Sequence, residues 1–353
     1  MKAVIDEKIP YLCEALTAMG VDVVALPGVS IAKDDLLDAE ALFVRTRTRC
    51  DAALLANTPV RFIGTATIGY DHIDADYCRE AGIEWTNAAG CNAGAVLQYV
   101  QSVIYSWSRD NDCPLNGLTL GIVGLGEIGT RVAVWAESVG MRVLANDPPK
   151  ADDGVTGLVS LEEIAAECDI VTFHPTLNVD GVYKSLHLAD DGFFVLLKRC
   201  RLLINASRGA VVDNDALLRA LGCGAVQCAA VDVWENEPDI NMDLLDKVYI
   251  ATPHIAGYSA EGKINATSIV LERFAQHIGY KGVLPELTLD APRRADVCAA
   301  SERDALLTIY SPLDDTRMLK SAPQDFEILR NNYKLRREPS AYRIEIRQRK
   351  TEV

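Results

Sequence analysis

Residues 118–129 read LTLGIVGLGEIG. The first six form an uncharged, mostly apolar run suited to a buried strand. The glycines at 124, 126 and 129 then follow in the spacing Gly-x-Gly-x-x-Gly, directly before the helical pattern GTRVAVWAESVG (129–140). Such glycine triplets recur in many loops, but a strand before and a helix after make this a dinucleotide-binding loop. Gly124 permits the tight turn, Gly126 lets the backbone approach a pyrophosphate, and Gly129 packs helix on strand. The amides of Glu127 and Ile128 open the helix and would face the phosphates. The next strand pattern, RVLAND (142–147), ends at Asp147, placed to accept hydrogen bonds from ribose hydroxyls and to repel a 2′-phosphate. Lys150 is nearby but no arginine adjoins the acid, so NAD is expected rather than NADP.

The same rhythm extends outward. DIVTFH, RLLINAS, QCAAVDV and KVYIATP read as further strands, with SLEEIAAEC and NDALLRALG as helices between them. This is a doubly wound parallel-sheet domain over residues 93–256. Upstream, KAVID, ALFVR and VRFIGTATIG are strand candidates, with the amphipathic YLCEALTAMG between the first two. The helical pattern KINATSIVLERFAQHIGY returns the chain to them. The expectation is a smaller flavodoxin-like α/β domain, residues 1–92 and 257–283, with the Rossmann domain inserted into it. Residues 284–353 are more charged and less periodic, and are expected to form a small α+β third domain with a charged tail.

The net charge of −15 over 353 residues argues against a nucleic-acid partner, since phosphate binding needs a positive face. The ten cysteines show no CxxC spacing, which suits reduced thiols and excludes a zinc-ribbon type of site; no metal is expected. The start MKAVIDEKIP lacks the apolar core of a signal peptide, and no apolar run approaches the ~20 residues of a membrane span. A soluble cytoplasmic protein without a membrane partner is expected.

Three loops beyond strand carboxyl ends carry chemistry: Arg208 in NASRGAVVD, Glu237 in DVWENEP and His254 in TPHIAGYS. In an open parallel sheet these ends line the ligand crevice. A carboxylate beside an imidazole raises its basicity and fixes its tautomer, so Glu237 and His254 suit general acid/base work. Arg208 suits a substrate carboxylate, with a donor left to polarise the adjacent carbonyl. With a nicotinamide nearby, these groups describe oxidation of a 2-hydroxy acid.

GIVGLGEIG, INASRGAVVDNDAL, DVWENEP and TPHIAGYSAEGK resemble the D-2-hydroxyacid dehydrogenase family. The resemblance implies NAD(H), an inserted nucleotide domain, a homodimer, and catalytic roles for Arg208, Glu237 and His254. It also implies cofactor contacts at Thr176, Asp232 and Gly257. The stretches LFVRTRT, FIGTATIGYDHID, GCNAGAV and DFEILRNNYKLRREPSAYRI resemble a branch of the family that acts on a small phosphorylated 2-hydroxy acid and dimerises through its C-terminal domain. In that branch Thr46, Thr67 and Tyr258 fall on substrate-binding positions. Arg45 is a further candidate for the phosphate, with an exposed strand-end cation as the equally weighted alternative. Two departures concern the cofactor: FHPTL (173–177) reverses the usual Thr-Pro order, and Gln98 stands where glutamate is usual. The alternatives are a dehydrogenase for phosphoglycerate or glycerate, or an NAD-sensing scaffold of the same fold.

Overall fold

The computed structural model of the chain describes residues 1–289 and 295–347. Its contacts divide into two compact units, Met1–Asn92 with Ser259–Arg293 and Ala93–Tyr258 with Arg294–Val353.

In the smaller unit β1 (Lys2–Asp6), β2 (Asp22–Leu26), β3 (Ala41–Val44), β4 (Phe62–Thr65) and β5 (Glu84–Asn87) pair in parallel in the order β2-β1-β3-β4-β5. Every residue of β3 and β4 is buried, as parallel strands covered on both faces require. The rings of Phe43, Phe62 and Phe274 lie 5.2–5.8 Å apart and tie the helix Ala260–His277 to one face. The order is flavodoxin-like. The sequence pattern marks β1, β3 and β4 but not β2 and β5. Those two are the edge strands, and their partly exposed residues give no continuous apolar run.

The larger unit holds β6 (Thr119–Val123), β7 (Arg142–Asn146), β8 (Ile170–Phe173), β9 (Leu202–Asn205), β10 (Cys228–Val231) and β11 (Ile250–Ala251), all parallel, in the order β11-β10-β9-β8-β6-β7. The strand order reverses at β6, so the crevice beyond the ends of β6 and β8 is the expected ligand position. β9, β10 and β11 are consecutive neighbours and bring the loops of Arg208, Glu237 and His254 to one edge of one sheet.

By its contacts the C-terminal segment groups with the larger unit. Its apolar side chains supply the reason. Leu319 and Phe326 join the core on one face of the large sheet, and Leu306 and Tyr310 join the core on the other. The helix Pro312–Ser321 also covers the short edge strand β11. Ala251 N donates to Thr316 Oγ1 at 3.1 Å, and Lys320 Nζ donates to Val248 O at 2.7 Å. β12 (Asp296–Ala299) before this helix and β13 (Arg343–Ile346) after it form a parallel pair, and the charged tail past Arg347 lies outside the described residues. Among the described residues no helix is long and apolar enough to cross a membrane.

Candidate active site

The glycine loop connects β6 to the helix Glu127–Ser138. Gly124 has φ +91°, and a Cβ there would press on the backbone of His174 and Pro175; a Cβ on Gly129 would overlap the Gly124 carbonyl. The fold itself requires these two glycines. Gly126 differs, because a Cβ there would meet nothing within 4 Å. Its small size serves the open space beside it. That space belongs to a cavity of about 260 Å³ lined in part by Gly124, Gly126, Asp147, His174, Thr176 and Ser185. The cavity lies beyond the ends of β6, β7 and β8 and fits a nucleotide on its glycine wall. Asp147 accepts from the amides of Leu125 (2.8 Å) and Lys150 (3.1 Å), so it also closes the turn that it ends. A carboxylate has about four acceptor positions, which leaves room for ribose hydroxyls. Thr176 borders the cavity, and its carbonyl accepts from Ser185 Oγ at 2.5 Å.

Three loops build the second part of the site. After β9, Asn205 Oδ1 accepts from Ser207 N and Oγ while Asn205 Nδ2 donates to Arg208 O, which shapes the turn carrying Arg208. A Cβ on Gly209 would overlap the Trp234 carbonyl, so this turn touches the loop after β10. In that second loop Glu237 Oε1 accepts from Trp234 N at 2.9 Å, and Oε2 lies 2.8 Å from His254 Nδ1. Burial pushes the Glu237 carboxyl up. The hydrogen bond and charge of His254, the Trp234 amide and the Arg330 cation outweigh it and leave the group below its ordinary range.

His254 has φ +57°, a left-handed conformation that a non-glycine residue adopts at a cost of about 1–3 kcal/mol. Asp232 holds it there. Its carbonyl accepts from His254 N (2.8 Å), and its carboxylate accepts from Thr252 Oγ1 (2.6 Å), Ile255 N (2.8 Å) and Ala256 N (2.9 Å). Asp232 is 1% exposed, and burial raises its pKa. The sequence reading gives Asp232 a cofactor contact; the structure gives its carboxylate the shaping of the His254 loop. Gly257 and Tyr258 follow this loop and are half-buried.

The remaining candidates lie in the smaller unit. Thr46 is exposed just past β3. Thr67, past β4, lies 2.7 Å from Thr65 Oγ1 and donates to Gly69 O at 2.8 Å, while Thr65 Oγ1 lies 3.0 Å from His72 Nε2. Arg45, read from the sequence as a phosphate candidate or else an exposed strand-end cation, is half-buried and paired. Its Nε donates to Asp6 Oδ2 at 3.0 Å, and Asp6 is 1% exposed, so Arg45 neutralises a buried carboxylate.

Gln98 is also resolved. Its Oε1 accepts from Arg336 Nε (3.0 Å) and its Nε2 donates to Arg337 O (3.1 Å), so it clasps the C-terminal segment. Sequence reasoning misses this segment's part in the site. Arg330 Nη1 lies 3.7 Å from Glu237 Oε2, Arg330 also bonds Tyr258, and the ring of Tyr333 stands edge-on to Tyr258 with centroids 6.1 Å apart. The one signal was the density of basic residues in ILRNNYKLRRE, which a surface tail shares.

Comparison with known proteins agrees with this geometry. Residues 95–256 match the family profile of the D-isomer specific 2-hydroxyacid dehydrogenase NAD binding domain. An erythronate-4-phosphate dehydrogenase of Bacteroides thetaiotaomicron is 47% identical over 345 residues, covering 98% of this chain and 99% of that protein. One of Yersinia pestis is 42% identical over 352 residues, covering 97% and 94%. Among solved structures, D-lactate dehydrogenase of Aquifex aeolicus with NAD and lactic acid has a TM-score of 0.63 at 25% identity, over 79% of this chain and 96% of that one. An NAD+-bound 3-phosphoglycerate dehydrogenase of Entamoeba histolytica has a TM-score of 0.66 at 23% identity, over 82% and 99%, and shows the same fold. The expected family, enzyme class and NAD cofactor are thereby borne out, and the chain belongs to the erythronate-4-phosphate dehydrogenases within the D-isomer specific 2-hydroxyacid dehydrogenase family.

Proposed function

We propose that the chain oxidises 4-phospho-D-erythronate to its 2-oxo acid with NAD, a step of vitamin B6 synthesis, in the cytoplasm and as a homodimer. The observation that carries the mechanism is the 2.8 Å contact between His254 Nδ1 and Glu237 Oε2. With Nδ1 turned to the carboxylate, Nε2 is the ring atom that meets the substrate. His254 Nε2 takes the C2 hydroxyl proton as the C2–H bond breaks and the C2=O bond forms. The glycine loop and Asp147 would hold NAD, which when bound would supply the acceptor for the C2 hydride and its two bonding electrons. Glu237 stabilises the imidazolium until its proton passes to solvent. Arg208 forks onto the substrate carboxylate and orients C2. Thr46, Thr67 and Tyr258 supply hydroxyls to the phosphorylated tail, and Arg45, already paired with Asp6, contributes only the remainder of its guanidinium. Thr176 and Gly257 line the cofactor path.

The test is turnover of the purified full chain with 4-phospho-D-erythronate, 3-phosphoglycerate and D-glycerate. A 2-oxo acid is added in parallel, so that tightly bound NADH can be reoxidised in place. The reading requires clear preference for phosphoerythronate. Preference for either other acid would refute the substrate assignment while leaving the proton-transfer pair standing.

A further inference from the structure

The stretch DFEILRNNYKLRREPSAYRI (325–344) takes no part in the reaction as described so far. If it served only assembly, its polar side chains would face outward. Instead Arg336 is 8% exposed and spends its donors inside its own chain. Nε donates to Gln98 Oε1 (3.0 Å), Nη1 to Ile255 O (2.9 Å), and Nη2 to Ala95 O (3.0 Å) and to Ala256 O. Its guanidinium also lies 4.4 Å from the centroid of the Tyr310 ring. Ile255 and Ala256 are the two residues after His254. Their amides are held by Asp232 and their carbonyls by Arg336, so the loop is clamped on both sides of its backbone.

Arg330 comes from the short helix Phe326–Asn331 of the same stretch, and its side chain is 27% exposed. Its Nη1 approaches Glu237 Oε2, the oxygen already bonded to His254, while its guanidinium also bonds Tyr258. Glu237 is thus met from three sides, by the Trp234 amide, the imidazole and this cation. Tyr258 is met by Arg330 and by the edge-on ring of Tyr333.

We propose that Arg330 is a positioning residue for the proton-transfer pair: carried by the C-terminal segment and anchored through Arg336, it fixes the orientation of Glu237, and through it His254, and holds Tyr258. The inference rests on the proposed reaction, in which Glu237 orients and stabilises His254. A carboxylate free to rotate presents its oxygen to Nδ1 only part of the time, and misplacement by about 1 Å can cost on the order of 100-fold in rate. The cation adds to the hydrogen bond and charge of His254 and to the Trp234 amide, which together hold the Glu237 carboxyl below its ordinary value despite burial.

The experiment compares Arg330→Met and Arg330→Lys with the wild-type full chain in the presence of NAD. Arg330→Met is expected to lower kcat on the order of 10- to 100-fold, with KM for the acid and Kd for NAD within about threefold of wild type. Arg330→Lys should recover part of the loss, because it restores the charge but not the fork. A loss confined to KM overturns the proposal in favour of direct substrate binding. A kcat within about twofold of wild type overturns it outright. So does a loss of kcat that tracks a fall in Tm and NAD affinity, which marks a merely structural part. A second readout needs no substrate: the His254 Nδ1–H proton resonance in the cofactor-free protein. Its weakening or shift in Arg330→Met supports the proposal even if phosphoerythronate proves the wrong acid, and an unchanged resonance overturns it.

Discussion

His254 and His174 follow strands of the same sheet, three residues past β11 and directly past β8, and they meet opposite surroundings. The side chain of His254 is 29% exposed, and its Nδ1 is bonded to a carboxylate that is itself held on two other sides. His174 borders the cavity beside the glycine loop with Nε2 on Thr172 Oγ1 at 2.9 Å, while its Nδ1 is sealed from solvent with no partner among the described residues. Burial pushes its pKa down to about 3, so the ring is neutral through the working range. A histidine at a strand end is therefore not enough for proton transfer. The carboxylate behind the ring and access in front of it make the difference.

The largest effect that could break this contrast is His254→Ala, which should lower kcat/KM on the order of 10²- to 10⁴-fold while NAD binding, read by fluorescence titration, stays near wild type. His174→Asn should leave kcat within about tenfold of wild type; if it matched His254→Ala in rate, the contrast would be false. Next, Arg208→Lys should lose on the order of 10²- to 10³-fold in kcat/KM, because a point charge cannot fork onto a carboxylate and polarise its neighbour together. Equal activity in that variant would remove Arg208 from substrate recognition. A smaller effect separates the glycines. Gly126→Val should weaken NAD binding by at least about tenfold with little change in Tm, since the added atoms enter the cavity and not the core. Gly129→Val should lower Tm as well.

The smallest effects are in stability against pH. Between about pH 6.5 and 3 the unfolded chain binds a proton at residue 174 that the folded ring refuses, so stability falls as pH drops through that window. The slope is at most about 1.4 kcal/mol per pH unit, less for the part of the residue that water reaches. Glu237 acts over a lower window. Its carboxyl lies below its ordinary 4.5, so its contribution is present above that value and is lost only as pH falls beneath it. Denaturant melts from pH 7 to 4 should flatten in His174→Asn and keep their slope in Glu237→Gln above pH 4.5.

What was legible in the sequence was local. The glycine loop, the strands around it and the three loops after β9, β10 and β11 carry their signals within ten or so residues, because turns and parallel strands impose spacing and apolar runs. Edge strands β2 and β5 impose less and stayed hidden. The engagement of Arg45 stayed hidden for a different reason: its partner Asp6 is 39 residues away, and nothing in VRTRT distinguishes a paired arginine from an exposed one. The same holds for Arg336, which meets Gln98 across 238 residues. Gln98 looked like an altered cofactor position because only its neighbours in sequence were visible. The packing of the C-terminal segment stayed hidden because its apolar residues are sparse, and only folding shows that they complete cores begun two hundred residues earlier.

In the proposed reaction His254, backed by Glu237, removes the hydroxyl proton as the C2 hydride leaves. The most direct measurement is transfer of deuterium from C2-deuterated 4-phospho-D-erythronate to NAD, by wild type and by His254→Ala with cofactor bound. Label is expected in the reduced cofactor for the wild type and none above background on the same timescale for the variant. Transfer at the wild-type rate in His254→Ala would contradict it.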